Sequence, residues 1–228
     1  MADPNLPMLE DAASKLTPFL DEIVFVGGIT LGLLITDTAA APIRGTIDVD
    51  VIAQILTYAD YIEFSERLRK AKFTEDSGER PLTCRWHNGE LTLDVLALRK
   101  EALGFTNAWY EGAMKHACAY TLPSGTSIRI ITAPFFLGTK IEAFRDRGKM
   151  DFAASHDLED FVAIIEGRDS LLKEIADSPI ALQKYLAETA EQLLAEPRFL
   201  DVLPGFVLDA ERVPLIIERL KNIKSQYG

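Results

Sequence analysis

Cysteine is scarce in this chain, with only Cys84 and Cys118 present. The two are far apart and form no CxxC element. With so few cysteines and no such element, neither a disulfide framework nor a zinc site is suggested. Both thiols are expected to be reduced and buried. The three histidines, His87, His116 and His156, are isolated from one another, and each is expected as a surface or core residue rather than a ligand. No long hydrophobic run exists either. The most apolar stretch, residues 23–35, is interrupted by Gly27, Gly28, Thr30 and Gly32, and a bilayer span needs about 20 apolar residues. The start, Met1-Ala2-Asp3-Pro4-Asn5, lacks the basic-then-apolar pattern of a secretory signal. A cytoplasmic protein with no membrane partner is therefore expected. Positive charge is also in deficit: 24 Lys and Arg stand against 35 Asp and Glu, a formal net charge of -11. Such a balance argues against a protein that coats nucleic acid nonspecifically, because that binding rests on many cationic contacts to phosphate. A local exception runs through residues 140–149, where Lys140, Arg145, Arg147 and Lys149 outnumber Glu142 and Asp146.

The 228 residues are enough for one large domain or two small ones with a substantial core, and 48% of them are hydrophobic and 26% charged. There is no internal repeat and no low-complexity tract. Apolar spacing predicts a helix over residues 9–20, then a short buried strand over 22–26 that ends at Gly27-Gly28, where a second helix over 29–36 begins. A strand over 46–53 follows. Residues 60–72 form an amphipathic pattern whose Tyr61, Phe64 and Leu68 are expected in the core. Residues 73–75 suggest a short strand, and 82–87 and 90–97 pair around the turn signal Asn88-Gly89 as a hairpin. A helix over 109–119 and a strand over 127–132 complete the first half. Beyond residue 133 only helical patterns are found, over 135–145, 156–165, 180–194 and 210–221. Ser178-Pro179 marks one start, as a cap followed by proline at the first helical position. The expected fold class is α/β (α+β): a mixed sheet with helices over residues 1–132, followed by a helical bundle over 133–228, packed closely enough to leave a ligand cleft between them.

Chemistry concentrates in three short pieces. In a strand over Thr46-Ile47-Asp48-Val49-Asp50-Val51, Asp48 and Asp50 share one face while Ile47, Val49 and Val51 take the other. Asp94, in Leu93-Asp94-Val95-Leu96, sits with Thr92 and Leu96 on one face of the second hairpin strand. Taken alone, Asp48 and Asp50 could be the solvent side of an edge strand, where charges discourage aggregation. If Asp94 joins them, three anions crowd one site and need protons or cations to neutralise them. Hard oxygen ligands of this kind suit Mg²⁺ better than zinc. The Gly27-Gly28 turn into a helix would present backbone N–H groups and a positive dipole end to an anion such as phosphate.

Phe25-Val26-Gly27-Gly28-Ile29-Thr30-Leu31, Arg44-Gly45-Thr46-Ile47-Asp48-Val49-Asp50-Val51 and Leu93-Asp94-Val95-Leu96 together resemble the polymerase-β-type nucleotidyltransferase superfamily. Within it, the likeness is greatest to the AbiEii-type enzymes of bacterial toxin–antitoxin and phage-defence systems. The stretch from Lys140 to Lys149 and then His156-Asp157-Leu158-Glu159-Asp160-Phe161 is similar to that family's later lysine and aspartate motifs. The segment Gly104-Phe105-Thr106-Asn107-Ala108-Trp109-Tyr110 also has a counterpart there. The resemblance covers roughly residues 25–161.

What it implies is transfer of NMP from an NTP to an acceptor hydroxyl. Asp48, Asp50 and Asp94 would be the catalytic and metal-binding residues, holding two Mg²⁺ ions, with Mn²⁺ as an alternative. Gly27, Gly28 and Thr30 would hold the phosphates, and Arg44, Lys140, Asp157 and Asp160 would complete the NTP site. Many superfamily members have Gly-Ser where this chain has Gly27-Gly28, which puts more weight on the backbone. Arg44 could instead anchor the turn, and Lys140 could be a solvated helix residue. The implied acceptor is RNA, particularly a tRNA 3′ end, with the stretches 67–72 and 145–149 as its basic contacts, and a cognate antitoxin is an implied partner. The alternatives are a transferase acting on a protein or on a small molecule such as an aminoglycoside, and a nucleotide-binding module without turnover.

Overall fold

The computed structural model describes residues 3–78, 82–146 and 151–227. The chain forms two compact units. One, Asp3–Gly32 with Arg44–Thr132, carries all the strands found among the described residues; the other, Leu33–Ile43 with Ala133–Gly228, is helical. The sequence expectation of a single change at residue 132 therefore misses the segment Leu33–Ile43, which lies early in the chain yet belongs with the later helices.

In the first unit, β1 (Ile23–Val26), β2 (Val49–Ala53), β3 (Thr74–Glu75), β4 (Arg85–Asn88), β5 (Leu91–Ala97), β6 (Cys118–Thr121) and β7 (Ser127–Ile130) form one mixed sheet in the order β3-β4-β5-β2-β1-β7-β6. The pairs β1/β7 and β2/β5 are parallel and the others antiparallel. The central strands β1, β2 and β5 are nearly continuous runs of buried residues, as expected where both faces are covered. The edge-strand reading of the aspartates is overturned, because β2 lies between β5 and β1.

Helices α1 (Leu6–Lys15), α3 (Tyr58–Lys70), α4 (Lys100–Leu103) and α5 (Tyr110–Lys115) accompany these strands, while the boundary between the two units falls within α2 (Leu31–Leu34). α3 starts with a capping box: Asp60 N–H donates to the Thr57 hydroxyl, and the Asp60 carboxylate accepts from Thr57 N. Tyr61, Phe64 and Leu68 are buried, as their spacing predicts. Gly104 ends α4 at φ +83°, the left-handed position that favours glycine.

Several sequence expectations need correction. The Asp-bearing strand begins at Val49, not Thr46, and Ile47 is 84% exposed instead of sharing a buried face with Val49. The helix after Gly27-Gly28 is a 3₁₀ turn over Gly27–Thr30 followed by a single α-turn, α2. Residues 118–119 are not helical; they open β6, and Cys118 is exposed on that strand, whereas Cys84 is buried as expected.

The helical unit contains α6 (Ala133–Asp146), α7 (His156–Gly167), α8 (Leu171–Ala176), α9 (Ile180–Ala195), α10 (Pro197–Val202) and α11 (Val213–Tyr227). α8 and α10 are short and were not apparent in the sequence. Pro179 is the N-cap of α9 and not its first residue. The core includes Phe136 and Phe144 from α6, Phe161 and Ile165 from α7, and Ile216 and Leu220 from α11. Leu33–Ile43 is stitched into this unit by its backbone. Thr36 N and Asp37 N both donate to Gly167 O at 2.9 Å, and a Cβ on Gly167 would lie 2.9 Å from Ile35 Cγ2. Arg212 hydrogen-bonds to both Asp37 and Glu166, and Arg219 caps the carbonyls of Ile165 and Glu166 at the end of α7.

Candidate functional site

The three aspartates reach one neighbourhood through strand register. Asp50 on β2 and Asp94 on β5 are direct partners in the parallel pair, so their side chains stand on the same face of the sheet. Asp48 lies two residues ahead of Asp50, in the bend that leads into β2. Thr46 steadies it by donating its hydroxyl to Asp48 Oδ1 at 3.2 Å.

Gly27 approaches from the neighbouring strand, since Val26 is the register partner of Asp50. Its φ is +70°, and a Cβ placed there would lie 2.2 Å from Asp50 Oδ2. Only a glycine lets the turn run this close to the carboxylate. Thr30 is fully buried and donates its hydroxyl to Gly27 O at 3.0 Å, so it closes the turn from within instead of standing ready for a phosphate. The expected helix dipole is reduced to that of one 3₁₀ turn and one α-turn. Whatever this loop offers an anion comes from its own N–H groups.

Two residues that sequence reasoning missed hold this constellation in place. Asn5 is buried, and its side-chain amide donates to Gly28 O and Arg44 O at 3.3 Å each while its Oδ1 accepts from Thr46 N at 2.8 Å. One side chain thus ties the glycine turn to the approach to Asp48. Arg85 on β4 is the other. Its Nε donates to Asp94 Oδ1 at 2.8 Å, and one terminal nitrogen reaches both Asp94 Oδ2 at 2.7 Å and Asp48 Oδ2 at 2.9 Å. Arg85 is the register partner of Asp94 in the antiparallel β4/β5 pair. That places an arginine directly opposite an aspartate, in a register set by a turn at Gly89-Glu90; the expected Asn88-Gly89 turn would have put Thr92 opposite Arg85. Hydrogen bonding to Asp94, followed by the Coulomb pull of Asp94 and Asp48, raises the guanidinium's affinity for its proton further still. Next to it, burial pushes the Cys84 thiol up to about 12, helped by the charges of Asp94 and Asp50.

Three carboxylates and no softer donor make a ligand set suited to a hard divalent cation. A cation, the Arg85 guanidinium, already bridges two of them. Among the described residues no group of three or more His, Cys, Asp or Glu stands assembled to hold a metal ion. In this trio two members are turned onto Arg85. The residues therefore fit the ion in kind and neighbourhood, with Asp48 and Asp94 engaged elsewhere.

In the helical unit, Lys140 on α6 meets Asp157 and Asp160 on α7. Its ammonium lies 3.1 Å from Asp157 Oδ1 and 2.6 Å from Asp160 Oδ2, and all three side chains are largely buried. The solvated-lysine alternative is thereby excluded. Of the basic stretches, Arg67 pairs with Glu22 and Arg69 with Glu75, while Arg145 bonds to Tyr185, Thr189 and Gln192. Arg147 and Lys149 lie outside the described residues. A cavity of about 460 Å³ opens beside α3, lined by Tyr58, Tyr61, Ile62, Arg69, Asp76 and Thr83 among others, and none of the three aspartates lines it.

No family model matches the chain, and no curated protein does. Among solved structures, it is similar to an antigenic nucleotidyltransferase-like protein from Paracoccidioides brasiliensis, with 16% identity, 75% of this chain and 81% of that one covered, and a TM-score of 0.43. It is also similar to JHP933 from Helicobacter pylori, with 14% identity, 100% and 94% coverage, and a TM-score of 0.49. Likeness at this level assigns no activity.

Proposed function

We propose that this protein is a metal-dependent nucleotidyltransferase of the polymerase-β type that moves NMP from an NTP to an acceptor hydroxyl. The observation that carries this is the register pairing of Asp50 with Asp94, with Asp48 beside them and the Gly27 turn pressed against Asp50. The sequence resemblance assigns these positions the same roles.

Asp48, Asp50 and Asp94 would hold Mg²⁺, which when bound neutralises the carboxylates and lowers the pKa of the acceptor hydroxyl. Asp94, once released by Arg85, would be the candidate to accept that hydroxyl's proton, unless the metal makes a separate base unnecessary. The acceptor oxygen forms its bond to the α-phosphorus as the bond to the β-phosphate oxygen breaks, and pyrophosphate leaves. Gly27 and Gly28 bring backbone close to the phosphates without a side chain in the way. Asn5 and Thr46 hold the turn and Asp48 in place, so that catalysis rests on positioning and charge stabilisation. Arg44, Lys140, Asp157 and Asp160 are the further NTP contacts that the resemblance proposes. The paired Lys140 would have to share its charge with the triphosphate.

RNA, in particular a tRNA 3′ end, is the acceptor proposed from the AbiEii-like motifs, with a cognate antitoxin as partner. A protein or small-molecule hydroxyl stands beside it, because Arg67, Arg69 and Arg145 are engaged within the chain. The test is Mg²⁺-dependent labelling of total RNA and of lysate with each α-labelled NTP. Asp48→Ala with Asp50→Ala is expected to abolish labelling, and labelling that survived would end the proposal. A second reading, a nucleotide-binding module without turnover, is favoured by one observation: Arg85 already supplies a cation to Asp48 and Asp94.

A further inference from the structure

We infer that Arg85 is a removable stand-in for a divalent cation, so that the guanidinium and a metal ion compete for Asp48 and Asp94. The inference rests on the metal-site reading above and deepens it by naming the residue that sets when the site can be loaded. Three facts carry it. The fork of Arg85 satisfies both oxygens of Asp94 and one of Asp48, the same two carboxylates that a metal would need. Asp48 and Asp94 bring two formal negative charges onto the one guanidinium that bridges them, so displacing Arg85 without a replacement cation is strongly unfavourable, while exchanging it for a divalent one is not. The Arg85 and Asp48 side chains are about one quarter exposed, which leaves a path to solvent along which the guanidinium can move.

A free metal ion must then break three charge-assisted hydrogen bonds to bind. A metal arriving with a triphosphate faces less opposition, because the displaced guanidinium gains phosphate oxygens as new acceptors, a geometry arginine suits. The site should therefore resist metal alone and load metal together with a polyanionic substrate. Arg85 acts here through the carboxylates, as a positioning residue.

The experiment measures Mn²⁺ binding to the full chain without nucleotide, by electron paramagnetic resonance of the free ion and by the Mn²⁺-induced rise in melting temperature. Arg85→Gln is expected to bind Mn²⁺ roughly tenfold or more tightly than the wild type, the equivalent of losing one charge-assisted hydrogen bond in competition. Arg85→Lys keeps the charge but cannot fork between two carboxylates, so it is expected to fall between them; it also serves if the glutamine variant folds poorly. Adding Asp94→Asn to Arg85→Gln should remove the gain. Affinity that depends on Asp94 but does not rise in either Arg85 variant overturns the competition and leaves the metal site standing. Binding indifferent to both Asp48→Asn and Asp94→Asn overturns the site, and the competition with it.

Discussion

Replacing Gly27 by alanine tests the geometry on which the site depends. Two costs add at this position. A non-glycine residue in the left-handed region loses about 1–2 kcal/mol. The new Cβ would also sit 2.2 Å from Asp50 Oδ2, 3.0 Å from its Cγ and 3.2 Å from its Cβ, and overpacking of this kind costs about 1–3 kcal/mol when the neighbours cannot retreat. Asp50 is on a central strand, so its backbone is fixed and the carboxylate must turn away. A total destabilisation of about 2–5 kcal/mol follows. Gly104→Ala separates the two terms, because Gly104 has φ +83° but a Cβ there meets nothing within 4 Å. It should show the backbone cost alone. Urea denaturation followed by tryptophan fluorescence suits the measurement, since Trp86 and Trp109 both lie in the sheet unit. Adding Asp50→Ala to Gly27→Ala should recover part of the loss, giving a coupling of about 1–3 kcal/mol in a double-mutant cycle. If Gly27→Ala costs no more than Gly104→Ala, the close approach of turn and carboxylate described above is wrong.

Arg212→Met leaves Glu166, 1% exposed, without its partner, and should destabilise the helical unit by about 3–5 kcal/mol; adding Glu166→Gln should restore part of it, and thermal denaturation of the set decides. At pH 8 a thiol reagent should modify the exposed Cys118 quickly and Cys84 only on unfolding, because Cys84 is buried and its thiol is pushed up to about 12; equal rates would contradict the packing around it. Asp60 is held below its usual 3.8 by hydrogen bonds from Leu56 N and then Thr57 N. A depressed carboxyl contributes stability above its unfolded pKa and loses it as pH falls through the lower folded value. The melting-temperature deficit of Asp60→Asn should therefore be full at pH 6 and shrink below pH 4, and a deficit constant across that range would refute the cap.

Alternation marked the strands that carry Asp50 and Asp94, but Asp48 lies in the bend before β2 and the Asp50–Asp94 pairing joins strands far apart in sequence, so it was the family resemblance that put the three aspartates together. Arg85 was not legible. An arginine in a hairpin strand reads as a solvated residue until the register sets it opposite Asp94, and its bond to Asp48 depends on a parallel pairing between distant strands. Asn5 was invisible for a similar reason, since a buried amide bonding three backbone groups leaves no periodicity. The first two residues of β6 read as the end of a helix because Cys118-Ala119 follows α5 without a glycine or proline to mark the change. Ile47 misled in the opposite direction: an apolar residue in alternation is expected inside, yet the chain is still bending there.

The segment Leu33–Ile43 has an implication for synthesis. It leaves the ribosome early, immediately after the glycine turn, yet its acceptor at Gly167 and its ion-pair partner Arg212 are made far later. For most of translation this stretch has nothing to settle against, and Asp37 waits as an unneutralised charge. A fragment ending at residue 132 would keep every strand of the sheet but leave this excursion without the groups that fix it, so protease cleavage between residues 33 and 43 should report when the last helix has arrived.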